Sequence, residues 1–181
     1  LILLIGAMIV SLILGMGLPT PVAYIIVALA LVPFMQQIGI PPLQAHFFVF
    51  YFAVFSTLTP PVAVSVLAAA KLGEASFLST AKDAIKIALT TFIIPFAFVF
   101  SPELMTFPDV TVKTFIAIAE VIFVQVAVSV ASYGFLFRSL NGIERSGYAI
   151  VALSGFLGFT YDTSFWYVAV TLFLAMSGYV Y

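Results

Sequence analysis

The sequence has no cysteine, a single histidine and very few charges: 6 Lys+Arg and 7 Asp+Glu among 181 residues, or 7%. Each scarcity excludes something. Without cysteine there are no disulfides and no thiolate metal sites, and cysteine usage gives no clue to the redox compartment. A soluble domain carries about 25% charged residues, so this chain has too little polar surface to wet a globule. A net charge of −1 offers no basic footprint for nucleic acid. The histidine, His46, has no carboxylate near it in sequence and lies among Ala45, Phe47 and Phe48. It is expected to be packed or interfacial, not a metal ligand. The clusters of titratable residues and the Ser–His or Cys–His pairings that covalent chemistry needs are missing. The chain is therefore expected not to be an enzyme and to carry no organic cofactor.

What is present is apolar: 64% of residues are hydrophobic and 16% aromatic, 20 of them Phe. The apolar runs exceed the roughly 20 residues that span a bilayer. In lipid every backbone polar group needs an internal partner, which leaves helices and closed barrels. Long uniform runs without alternation of period two select helices. The expected fold is thus an all-α integral membrane protein, a polytopic helical bundle. Leu1 already sits in an apolar run, with no charged n-region before it and no small-residue cleavage site after it. The expectation is a piece of a longer polytopic chain, not a signal peptide.

The first run, residues 1–35, would be about 50 Å long as one helix, against a hydrocarbon core of about 30 Å. Gly15-Met16-Gly17-Leu18-Pro19-Thr20-Pro21 cuts it in the middle. Two arms of about 14 residues, about 21 Å each, fit a re-entrant helical hairpin with its tip at 15–21; a single broken span is the competing possibility. A turn-rich connection at 36–42 follows. The run 43–72, interrupted by Ser56-Thr57-Leu58-Thr59-Pro60-Pro61, is expected to be a discontinuous helix, because two prolines remove two donors and clash with the preceding turn. Lys71, Glu74, Lys82, Asp83 and Lys86 mark a loop and an amphipathic lead-in to a span at 84–101. Residues 106–181 are expected to add further membrane helices at 113–137, 148–160 and 165–181, with a polar turn at Arg138, Glu144 and Arg145. The expected division is therefore 1–105 (hairpin 1–35, broken span 41–72, span 84–101) and 106–181. Lys71, Lys82 and Lys86 in one loop, and Arg138 and Arg145 in another two crossings later, place both loops on the cytoplasmic side. Residues 36–42 then face outside.

Irregular backbone at membrane depth is tolerated only where it lines a cavity or is buried in protein. One such break is ordinarily a packing kink, because glycine and proline are common in membrane helices. Two breaks in adjacent segments, each with threonine beside proline, point instead to a site. Broken helices whose half-helix ends meet near the midplane are where secondary transporters bind ions and solutes. Gly15 and Gly17 permit tight backbone geometry. Thr20, Thr57 and Thr59 add hydroxyl oxygens without charge, suited to a hard cation such as sodium.

GMGLPTPVAYIIV (15–27) followed by PPLQAHFFVFYFAVFSTLTPPVAVSVLAAA (41–70) resembles the large membrane subunit of the tripartite ATP-independent periplasmic (TRAP) transporters. The closer likeness is to fused permeases that work with TAXI-type solute-binding proteins. The resemblance covers about residues 1–105; 106–181 look like the extra helices of the fused form. It implies an elevator-type transport domain built from inverted repeats, of which this would be the second, with sodium the usual coupling ion. Gly15, Gly17, Thr20, Thr57 and Thr59 would then hold the cation, and Pro19, Thr20, Thr59 and Pro60 would contact the solute. The other half of the solute site would belong to a first repeat that this sequence does not contain, so the chain alone would not transport. Also implied are a periplasmic solute-binding protein, a small organic acid as substrate, surrounding membrane lipid, a small membrane subunit fused upstream, and a bacterial or archaeal inner membrane. The alternative is an elevator-type ion-coupled carboxylate carrier that needs no binding protein. An anchoring or assembly role is conceivable for 106–181 alone.

Other residues carry less. Glu120, about two turns inside a membrane helix, is by default a functional candidate, but outside the transport core a packing or snorkelling role is expected. Tyr161-Asp162 is half of an intramembrane aspartyl protease signature; the second carboxylate needed to share a proton has no counterpart. Tyr161, Trp166, Tyr167, Tyr179 and Tyr181 are candidates for interfacial belts.

Overall fold

The computed structural model describes residues 1–106 and 108–180; Tyr181, one of the expected belt residues, lies outside them. The described residues are helical, apart from turns and one isolated bridge between Phe135 and Ser139. They form two compact units, Leu1–Ala88 and Leu89–Tyr181.

In the first unit, α1 (Ile2–Gly15) and α2 (Thr20–Gln37) pack against each other and both pack against α3 (Pro42–Phe55). The chain leaves α1 because Met16 turns extended (ψ 128°) and Gly17 adopts φ +76°, a region closed to most side chains. Helix α2 restarts with Pro21 in its first turn, where a missing N–H costs nothing. It runs 18 residues, about 27 Å, longer than the 14-residue arm expected, because it begins at Thr20 and continues past Pro33 to Gln37. By length and composition α2 is one of three described helical segments able to cross a membrane, with Phe77–Phe100, which a short turn interrupts, and Val112–Tyr133.

In α1 the buried stripe is mostly small and the exposed face large. The buried stripe of α1 is Leu4, Ala7, Ser11 and Gly15, while Ile2, Leu3, Ile9 and Ile13 are exposed. Without a hydrophobic drive between helices in lipid, close backbone approach over small residues gives the packing energy. Aromatic residues of α3 supply the bulk, with Phe48 and Phe52 fully buried and in edge contact at 5.0 Å.

After α3 a 3-10 turn, Ser56–Leu58, leads into extended Thr59, a cis Pro60–Pro61 bond and left-handed Ala63. Helix α4 (Val64–Leu72) then resumes. A short cluster of Ala63, Val66 and Ala81 ties α4 to α5 (Phe77–Leu89). The lead-in thus becomes helical at Phe77, and three turn residues, 90–92, separate α5 from α6 (Ile93–Phe100).

In the second unit, α7 (Val112–Tyr133), α8 (Gly142–Thr160) and α9 (Ser164–Val180) form a bundle, α8 packing on both others. Two expected boundaries are corrected. Helix α7 stops at Tyr133 and not at 137, because Gly134 takes φ +67° and its N–H caps the Val130 carbonyl. Helix α8 begins at Gly142 and not at 148. Asn141 accepts from the Glu144 N–H at 2.9 Å while Glu144 accepts from the Asn141 N–H at 2.8 Å, a reciprocal cap that satisfies two orphan donors. Trp166 is half-buried between Phe123 and Phe159 and lies against Gly155 and Gly158, so it fills a notch in α8 where a belt residue was expected. Tyr161, Tyr167 and Tyr179 are exposed.

The candidate cation and solute site

The two breaks meet. Gly15 closes α1 directly on Ser56: a Cβ at 15 would lie 2.5 Å from the Ser56 hydroxyl and 3.3 Å from the Ala53 carbonyl oxygen. Two residues on, a Cβ at Gly17 would lie 3.2 Å from Cγ1 of Val62. The tip at 15–19 therefore rests on the 56–62 segment. Gly15 and Ser56 are buried, Thr20, Thr57, Thr59 and Pro60 half-buried, and Gly17 and Pro19 exposed. The junction has a packed floor and an open upper side.

Its hydroxyls are arranged alike. Ser56 donates to the Ala53 carbonyl (2.6 Å), Thr57 to Val54 (2.9 Å) and Thr59 to Phe55 (3.0 Å). These carbonyls belong to the last turn of α3, whose acceptors have no full intrahelical ladder; Val54 also accepts the Ser56 N–H. The three side chains thus bond back onto the end of their own helix. What remains available is the hydroxyl oxygens, each with its proton spent inward and lone pairs left to accept. The N-terminus of α2 comes to the same junction, with Thr20 as its first residue. No hydrogen bond links Thr20 to 56–60 among the described residues, so packing brings Gly15 to Ser56 and Gly17 to Val62, and Pro19, Thr20, Thr57, Thr59 and Pro60 stand beside those contacts by chain connection.

Ser56 and Val62 are the residues sequence reasoning passed over. Ser56 stood in the Ser-Thr-Leu-Thr-Pro-Pro motif, but its contact with Gly15 is long-range and leaves no local signal. Val62 was absorbed into the apolar run.

The other candidates fall elsewhere. His46 accepts or donates through Nδ1 to the Tyr24 hydroxyl at 2.9 Å, a packed interhelical pair. Glu120 borders a cleft of about 200 Å³ with Ser101, Glu103 and Lys113. Asp162 lies in the α8–α9 turn, where its carboxylate accepts the Ser164 N–H at 2.7 Å; that bond holds its pKa below the usual range. No cluster of three or more His, Cys, Asp or Glu occurs among the described residues.

Among curated proteins and among solved structures, none matches this chain. A family does. Residues 1–111, more than half of the chain and including both breaks, match the family "Tripartite ATP-independent periplasmic transporter, DctM component", and the chain belongs to that family of membrane solute transporters.

Proposed function

We propose that the junction of 15–20 with 56–60 is one sodium site and half of a solute site in an elevator-type permease. The permease imports a small organic acid handed over by a periplasmic binding protein across a bacterial or archaeal inner membrane. The observation that carries this is the seating of Gly15 on Ser56, which brings two unwound segments together with three hydroxyl oxygens whose protons point away. Neutral hard oxygens without a carboxylate suit a monovalent cation. The N-termini of α2 and α4 border the breaks, and such half-helix ends favour an anionic solute group. The open side is where the first repeat would complete the solute site.

The experiment is uptake into proteoliposomes made from the complete transporter, driven by a sodium gradient with binding protein supplied. Thr59→Ser should keep the sodium dependence. Thr59→Ala should raise the sodium concentration for half-maximal uptake several-fold, the equivalent of about 1 kcal/mol for one ligand bond. Thr171→Ala is the control, since Thr171 donates to Tyr167 and Val168 carbonyls in the exposed interior of α9. Unchanged sodium dependence in Thr59→Ala would remove the cation site from this junction. Uptake that ignores sodium would remove the coupling altogether.

A further inference from the structure

The second unit carries an apolar groove that the transport site does not use. It has a volume of about 410 Å³ and lies between α6, α7 and α8. Its walls are Phe92, Ile93 and Phe96 from one side and Val128, Ala131, Ala149, Ala152 and Phe156 from the other; Ser132 is the polar lining residue. Phe96 and Phe156 meet edge to face at 5.6 Å and form one end of the lining.

The opposite end is cationic. Arg145, Ala149, Ala152 and Phe156 stand at i, i+4, i+7 and i+11 on α8, a single helical stripe. Arg145 is exposed and donates through Nε to the Ala131 carbonyl and through Nη2 to the Ser132 carbonyl, both at 3.0 Å. Those two acceptors belong to residues that line the groove, so the guanidinium is fixed at its mouth. Its bonds there are to backbone carbonyls, leaving Nη1 to donate outward. The neighbouring carboxylate, Glu144, is occupied by Arg138 and by the Asn141 N–H. From Arg145 to Phe156 the stripe rises about 16 Å, which is half of a hydrocarbon core of about 30 Å, the depth of one leaflet.

We propose that this groove is a binding site for one anionic phospholipid of the cytoplasmic leaflet. Its phosphate pairs with Arg145 and one acyl chain lies along Ala149 and Ala152 to the Phe96–Phe156 stop. Cation, groove and stop occur in the order and at the spacing that a phospholipid has. A packed helix would fill the groove but would bring no anion to the guanidinium.

The test is native mass spectrometry of the complete chain in detergent, titrated with phosphatidylglycerol and with phosphatidylcholine of the same acyl chains. The wild type should retain one phosphatidylglycerol about fivefold more tightly than phosphatidylcholine, as one basic residue at an anionic headgroup gives. Arg145→Gln should erase that preference. Because Arg145 also caps α7, Ala149→Phe serves as the independent variant: it fills the groove from an exposed position and should weaken both lipids. Equal retention of the two lipids by the wild type would overturn the proposal. So would undiminished binding by Ala149→Phe, or complete displacement of the lipid by inorganic phosphate, which would reduce the site to a bare anion contact.

Discussion

Gly15 and Ser56 leave no room between them: a methyl carbon at 15 would stand 2.5 Å from the Ser56 hydroxyl and 2.9 Å from its Cβ. The hydroxyl could rotate away but the Cβ could not, since Ser56 is fully buried at the end of α3. Gly15→Ala should therefore pry the two breaks apart, with a destabilisation of about 1–3 kcal/mol typical of overpacking. Ser56→Ala added to it keeps the Cβ and should not help. Ser56→Gly added to it removes the obstruction and should recover most of the thermal stability. If Gly15→Ala unfolds at the wild-type temperature, the contact is not close enough to hold the site.

This contact also marks the limit of what the sequence discloses. Both breaks were legible, because Gly15 and Gly17 beside Pro19 and Pro21, and Pro60 beside Pro61, concentrate helix-opposing residues within a few positions, and that is a local property. Their meeting was not legible, being a packing outcome between residues 41 apart in the chain. Charge misled at the α7–α8 turn. Glu144 and Arg145 suggest loop in a membrane chain, yet Asn141-x-x-Glu144 is also a helix-start signature, and the helix begins there. Gly134 stayed hidden for the opposite reason, since glycine is ordinary inside membrane helices and only its positive φ reveals a terminus. The capping of α3 carbonyls by Ser56, Thr57 and Thr59 was likewise foreseeable in type, as these residues bond back to i−3 or i−4.

The length of α2 bears on the hairpin. If α1 and α2 re-enter from outside, their tip stays within the membrane, and a cysteine at exposed Pro19 should resist membrane-impermeant thiol reagents from either side unless the site is open. Cysteines at Gly39 and Pro108 should label from outside in intact cells, and those at Gly73 and Asn141 only from the cytoplasm, following the Lys and Arg distribution. If α2 instead crosses completely, Pro19→Cys labels from the cytoplasmic side. That outcome retires the re-entrant hairpin while leaving the Gly15–Ser56 junction intact.

The α7–α8 turn should be acid-sensitive. Arg138 grips Glu144 through two bonds, at 2.6 and 3.1 Å, and the Asn141 N–H adds a third. These hold the Glu144 carboxyl below its usual pKa, the Arg138 bonds contributing most, while Arg138 is shifted upward by the same pairing. A depressed folded pKa means that the contribution is complete above the ordinary glutamate range and is lost as pH falls through the folded value. Arg138 stays charged throughout. Hydrogen-exchange protection at residues 139–145, taken relative to the intrinsic rate at each pH, should therefore fall on acidification below the ordinary range, and in Glu144→Gln that pH dependence should be flattened. An identical acid response in the variant would assign the effect to other carboxylates.

The sharpest test of the tip is Gly17→Val against Gly6→Val. Gly17 holds φ +76°, where a β-branched residue is a genuine outlier; left-handed backbone costs an L-residue about 1–2 kcal/mol before any contact is counted. Contact then adds to it, since the new Cβ would press on Val62 at 3.2 Å, in the segment that follows Pro60 and Pro61. Gly6 lies in the interior of α1 with ordinary helical angles and nothing within 4 Å of an added Cβ. Valine there adds bulk toward open space and leaves the backbone as it is. Binding-protein-dependent uptake, normalised to folded protein, should thus be abolished by Gly17→Val and largely kept by Gly6→Val. Gly17→Ala should fall between the two, because it bears the left-handed strain with less bulk against Val62. Near-normal uptake with Gly17→Val would mean that the turn can rearrange without disturbing the hydroxyls of Thr57 and Thr59, and the 15–19 segment would then be a connection between helices and no part of the binding site.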